Sequence, residues 1–203
     1  MFYADNPSSD ILQGDIFAGL VSFGLIPSKF LTVSTLSREH NPCFSMDLGF
    51  GYSAIVSPSC EIPKREYLAF CPLLPLHKRI RQVEFLNDDP TRLNNEVDHE
   101  NSMPKPKWDI KSEEEKAALK RKGKTYAFLN NFVFEGIDGF FSDYLMIDFN
   151  FVFNINSKYL GKKNKLLLAP RVLQLSFESQ RALRLKLANY YFREPEEACQ
   201  VGR

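Results

Sequence analysis

Hydrophobic and polar residues alternate most regularly between Tyr144 and Ile155. Leu145, Ile147, Phe149, Phe151, Phe153 and Ile155 fall on one face, and Met146, Asp148, Asn150, Val152 and Asn154 on the other. Period two over this length predicts a strand with one face on a core and the other largely wet. Thr125 to Phe134 reads as its partner, with Asp138-Gly139 in the turn, so the pair makes a long Phe-rich hairpin. Shorter apolar runs predict strands over Tyr52–Ser57 and Tyr67–Pro72. Pro58 and Pro63 bracket a stiff turn between them. Asp10 to Phe17 reads as a short strand entering at a turn glycine, Gly14. Phe17 to Thr35 reads as one or two more strands, Ser37 to Asn41 as polar loop, and Lys165 to Ala169 as a strand ended by Pro170. The period then changes. Ser176 caps a helix over residues 176–193 whose stripe includes Leu183, Leu187, Tyr190 and Tyr191.

Between Gln82 and Glu115 the composition shifts to ten acids against four bases, interrupted by Pro90, Pro104 and Pro106. This predicts an exposed acidic insertion over residues 82–124. It ends in a short helix: Ser112 and Glu115 form a capping-box pattern, and Gly123 stops the helix. The segment from Asn156 to Arg193 is the opposite, with nine basic residues against one acid. A net charge of +1 therefore hides two separated blocks of opposite sign. No apolar run is long enough to span a bilayer, and Met1 to Asp10 lacks a basic n-region. The expectation is a single cytoplasmic domain over residues 1–203, with reduced cysteines, no membrane association and no cofactor. The expected fold class is α+β: an SH3-like small β-barrel or a bent antiparallel sheet, extended by the Phe-rich hairpin and closed by the C-terminal helix. In that reading the helix covers Phe149, Phe151 and Phe153, and Phe151→Ala costs about 3–5 kcal/mol.

Three blocks in the first third carry a family resemblance: Gly14-Asp15-Ile16-Phe17, the strand ending Val56-Ser57, and the strand ending Pro72-Leu73-Leu74. Over residues 10–76 they resemble the MazF/PemK family of small-barrel proteins. That resemblance implies an SH3-like barrel and cleavage of single-stranded RNA. The chain departs from the family where the chemistry sits. Gly49-Phe50-Gly51-Tyr52 stands where the family carries an Arg before the second strand, and Leu74 stands in place of a hydroxyl residue. The expected function is accordingly a non-catalytic interaction or nucleic-acid-binding component of a bacterial defence or toxin–antitoxin-type system. The alternatives are a single-strand-specific endoribonuclease with a relocated arginine, and a cysteine-dependent enzyme using Cys60.

The candidate catalytic residues are Cys60, Glu61, Arg79 and Arg81. Cys60 at a strand-to-turn edge becomes a nucleophile only if a base such as His40 or His77 lowers its pKa, and Glu61 beside it acts in the opposite sense. Arg65, Arg79 and Arg81 flank the turn and the following strand, where one of them can clamp a phosphate. Lys162, Lys163, Lys165, Arg171, Arg181, Arg184 and Arg193 are the candidate surface for RNA, DNA or a protein partner, with Tyr190 and Tyr191 available for stacking. A homodimer or a place in a larger complex fits such a surface. His40 and Cys43, with Cys60, Cys71 or His77, make only one weak ligand pair, so no metal is expected.

Overall fold

The computed structural model describes residues 1–27, 44–159 and 170–192. The described residues form ten strands: β1 (Ile16–Pro27), β2 (Phe44–Ile55), β3 (Tyr67–Pro72), β4 (Leu74–Pro75), β5 (Val97–Asp98), β6 (Lys124–Thr125), β7 (Asn131–Phe134), β8 (Leu145–Asp148), β9 (Phe153–Asn156) and β10 (Arg171–Leu173). The same residues form three α-helices: α1 (Lys105–Asp109), α2 (Glu113–Arg121) and α3 (Phe177–Phe192). The architecture is α+β with antiparallel sheets. One sheet has the order β10-β1-β2-β3-β9, a second β4-β8-β7, and a third the pair β5-β6. Among the described residues the sheets do not close into a barrel. No helix there is long and apolar enough to cross a membrane.

A single inserted residue sets the β1 register. Ala18 pairs with Tyr52 and Leu20 with Gly51, leaving Gly19 as the extra residue of a bulge at φ +75°. Phe17 and Leu20 lie three apart, so a regular strand would send them to opposite faces. The bulge returns both to one core, where they meet Ile55, Ile62, Leu68, Phe70 and Phe153. Ile16, Ala54 and Cys71, one residue out of phase, face the other side. There they pack with Phe132, Phe134, Ile147 and Phe149 and with Leu183 and Leu187 of α3. The five-stranded sheet is thus covered on both faces.

The long hairpin strand is two strands in the structure. Asp148 accepts the Asn150 amide at 2.9 Å and the Asn150 side chain at 2.7 Å, and its carbonyl accepts the Phe151 amide at 2.9 Å. This Asx turn ends β8 and carries the chain to β9, which joins β3 in the other sheet. Phe149 is buried and Phe151 is 59% exposed, so α3 does not cover Phe151. It covers Phe149, through Tyr190 at a ring separation of 5.3 Å, while Phe153 packs in the other core beside Phe70.

The acidic segment also differs from an exposed insertion. Ile80, Val83, Leu86 and Leu93 are buried and pack on Val133 and Met146, the face of β7 and β8 turned away from the main core. The charged residues occupy the solvent side of a chain of 3-10 turns. Asn94 seals the free edge of β7. Its amide donates to the Val133 carbonyl and its oxygen accepts the Val133 amide, both at 2.7 Å. The capping box forms as read: Ser112 and Glu115 bond reciprocally, and Gly123 at φ +83° follows the helix. In α3 the Ser179 amide donates to Ser176 Oγ at 3.3 Å. The short strand expected over Lys165–Ala169 and the loop over Ser37–Asn41 lie outside the described residues.

Candidate functional site

The turn between β2 and β3 is rigid for local reasons. The Glu61 and Ile62 amides both donate to the Pro58 carbonyl, at 2.9 and 3.2 Å, and the Lys64 and Arg65 amides to the Glu61 carbonyl at 3.0 Å. Buried Ile62 pins its underside. Ser57 Oγ accepts the Ala69 amide at 2.8 Å, and the buried Gln13 side chain donates to the Val56 carbonyl at 2.6 Å. The α3 helix lies across this turn and β3, docked by Leu183 and Leu187. A cleft of about 500 Å³ remains between them.

The floor of the cleft is apolar, from Val56, Ala69 and Leu187. Its rim carries Arg65, Arg184, Tyr67 and Tyr191, with Asn154 of β9 to one side. Each arginine touches the protein through Nε. That of Arg65 lies 3.3 Å from Glu61 Oε2, and that of Arg184 donates to the Gln180 carbonyl at 3.4 Å. Among the described residues the terminal nitrogens of both have no protein partner, and both arginines are exposed. Tyr67 and Tyr191 are 57% and 63% exposed, so ring area is open to a ligand.

The expected site residues separate. Glu61 is the ion-pair partner of Arg65. Cys60 is exposed on the same turn, and no described histidine bonds to it. His77 Nδ1 instead accepts the Arg79 amide at 3.1 Å. Arg79 is exposed on the segment after β4, and Arg81 pairs with Asp143 of the β7–β8 loop at 3.3 Å, so neither reaches the cleft lining. Of the basic residues, Arg184 lines the cleft and Arg181 is exposed on the same helix. Arg171 is engaged internally: it lies 3.0 Å from Asp15 Oδ2 and donates to the carbonyls of Asp10 and Ser8. Lys162, Lys163, Lys165, Arg193, His40 and Cys43 lie outside the described residues. Cys71 is fully buried, and burial, aided by the Asp148 charge, pushes its thiol up to about 12. Among the described residues no group of three or more His, Cys, Asp or Glu is placed to hold a metal ion.

Two buried ionisable groups had little signature in the chain. Asp15 is fully buried within the Gly14-Asp15-Ile16-Phe17 block. It accepts from the Leu12 amide, Gln174 and Arg171, and its Oδ1 has no partner among the described residues. Burial raises its carboxyl above the ordinary range despite those donors. Lys186 of α3 is also fully buried. Its amine donates to the Leu93 carbonyl and lies 5.1 Å from the centre of the Tyr126 ring. Burial holds it well below the usual lysine range. The clue was a lysine three residues after Leu183 and one before Leu187, inside the helix stripe. Compared with protein-family models, curated proteins and solved structures, the chain finds no match in any of the three.

Proposed function

We propose that the protein is a non-catalytic binder of single-stranded nucleic acid, and that it serves in a bacterial defence or toxin–antitoxin-type system. The observation that carries the binding reading is the convergence of Arg65 and Arg184 with Tyr67 and Tyr191 around one cleft. A guanidinium is suited to phosphate oxygens through paired N–H donors, and exposed tyrosine faces accept any base. Such stacking is worth about 1–3 kcal/mol per base. The setting is supported by the MazF/PemK-like blocks of the first third, which contribute Val56 and Ser57 to this cleft. Beside the arginines and tyrosines the lining carries the Gln13 and Asn154 amides, the Ser57 hydroxyl, Phe192 and aliphatic side chains, and, among the described residues, no carboxylate, which suits holding a polyanion.

The test is fluorescence anisotropy with a labelled mixed-sequence single-stranded RNA at low and physiological salt, followed by recovery of the RNA on a denaturing gel. Binding that weakens with salt, is lost in the Arg65→Ala/Arg184→Ala double variant, and returns intact RNA is the expected outcome. Cleaved RNA moves the reading to an endoribonuclease with Arg65 as the relocated phosphate clamp. No binding at low salt removes nucleic acid as the ligand and leaves a protein partner for the aromatic rim.

A further inference from the structure

The cleft is small and its surroundings are not uniformly basic. About 500 Å³ lies within the range of small-ligand pockets, roughly 300–1,000 Å³, rather than that of an open groove. Two cations are on its rim among the described residues, and both are arginines whose Nε is already held. Acidic groups stand directly beside them. Glu61 is paired to Arg65 on the turn, and Glu66 is exposed at the entry to β3, where it accepts from Asn156 at 3.0 Å. A chain of phosphates leaving the cleft along the turn would meet these carboxylates, and like charges repel. Inside the cleft the geometry is different. The floor of Val56, Ala69 and Leu187 offers apolar contact, and the tyrosine rings rise at its edge. Ser57 and Gln13 also line it, but Ser57 Oγ accepts the Ala69 amide and the Gln13 amide group donates to Val56, so each is already bonded to the backbone. The charged donors on the lining are the two arginines; Asn154 on the β9 edge strand and the hydroxyls of Ser57, Tyr67 and Tyr191 add neutral ones.

We infer that the cleft seats one nucleotide unit at a time, its phosphate on Arg65 and Arg184 and its base on the tyrosine rim. This rests on the nucleic-acid reading above and narrows it from a track to a single seat. Two consequences are measurable. Counterion release at one phosphate held by both arginines gives a logarithmic salt slope of about −0.7 for a single strand. A single seat also makes the association constant grow only linearly with the number of nucleotides, because a longer strand offers more registers and no further contacts.

The experiment is a binding series with 5′-phosphorylated oligothymidylates from dinucleotide to dodecamer on the full chain, each titrated at several salt concentrations. Linear growth with length and a slope of about −0.7 are expected, with the slope falling toward zero in the Arg65→Ala/Arg184→Ala variant. Both arginines are exposed, so the variant keeps its fold, and circular dichroism checks this. Growth steeper than linear up to a plateau, or a slope of about −3 or beyond, means a multi-nucleotide track; the single seat is then wrong while nucleic-acid binding stands. No binding of any member at low salt defeats the nucleic-acid reading and the seat with it.

Discussion

Gly14 shows how narrowly one residue can be specified. Its φ is +92°, and a Cβ built there would lie 2.5 Å from Leu175 Cδ1 and 3.0 Å from Leu183 Cδ2. The left-handed backbone costs a side chain about 1–2 kcal/mol. Crowding in a packed core adds about 1–3 kcal/mol. Gly14→Ala should therefore lower stability by about 2–5 kcal/mol, seen as a lower urea midpoint with an unchanged slope. An unshifted midpoint would mean that α3 stands further from this turn than described. Lys186 makes a second prediction at this scale. Its folded pKa is lowered, so below the ordinary lysine range the unfolded chain binds the extra proton. Stability through this group is therefore gained as pH rises from the lowered folded value toward the ordinary one. Asp15 has the opposite sign. Its folded pKa is raised, so its contribution is present at low pH and is lost as pH rises through the raised value. The stability of the parent minus that of Lys186→Met should accordingly rise between neutral pH and about pH 10, by urea denaturation at each pH. A difference that stays flat would show that the amine remains charged in the fold.

At the scale of the element, legibility followed how locally each structure is determined. The Ser112/Glu115 box, the Pro58–Pro63 turn and the β3 strand depend on neighbours in sequence, and each forms where the pattern put it. The Tyr144–Ile155 strand does not. Its alternation stays in phase across the Asx turn because Asp148 and Asn150 occupy wet positions in either reading. The turn-forming residues were thus hidden by the pattern they complete. The bulge at Gly19 has the same character, since it matters only when Phe17 and Leu20 must share a core with Phe70. The two phenylalanines on either side of the turn therefore separate. Phe149→Ala removes a side chain that is 2% exposed and should cost about 3–5 kcal/mol. Phe151→Ala, at 59% exposure, should stay within about 0.5 kcal/mol of the parent. Equal losses of melting temperature in the two variants would restore one continuous strand.

At the scale of the whole molecule, the charge blocks were visible in the sequence but their use was not. Arg171 and Arg184 look alike in a basic segment. One is bound to Asp15 and two backbone carbonyls, and the other opens onto a cleft. That distinction arises only when α3 docks on a turn about 120 residues earlier in the chain. The acidic segment is placed by the same kind of long-range contact. Asn94 bonds to both backbone groups of Val133 in β7, while the Leu93 carbonyl accepts from Lys186 of α3. Two adjacent residues thus tie the second sheet to the C-terminal helix. Asn94 is 3% exposed, so truncating it leaves a buried N–H and a buried carbonyl without partners, each costing about 1–3 kcal/mol. If the segment is integral to the fold, Asn94→Ala should lower the global unfolding midpoint by an equivalent of about 2–6 kcal/mol. It should also speed exchange of the Val133 amide and of α3 amides together, because one opening then releases both neighbours. Faster exchange confined to residues 80–98, with the global midpoint unchanged, would show instead that the segment opens by itself and that the two sheets and α3 stand without it.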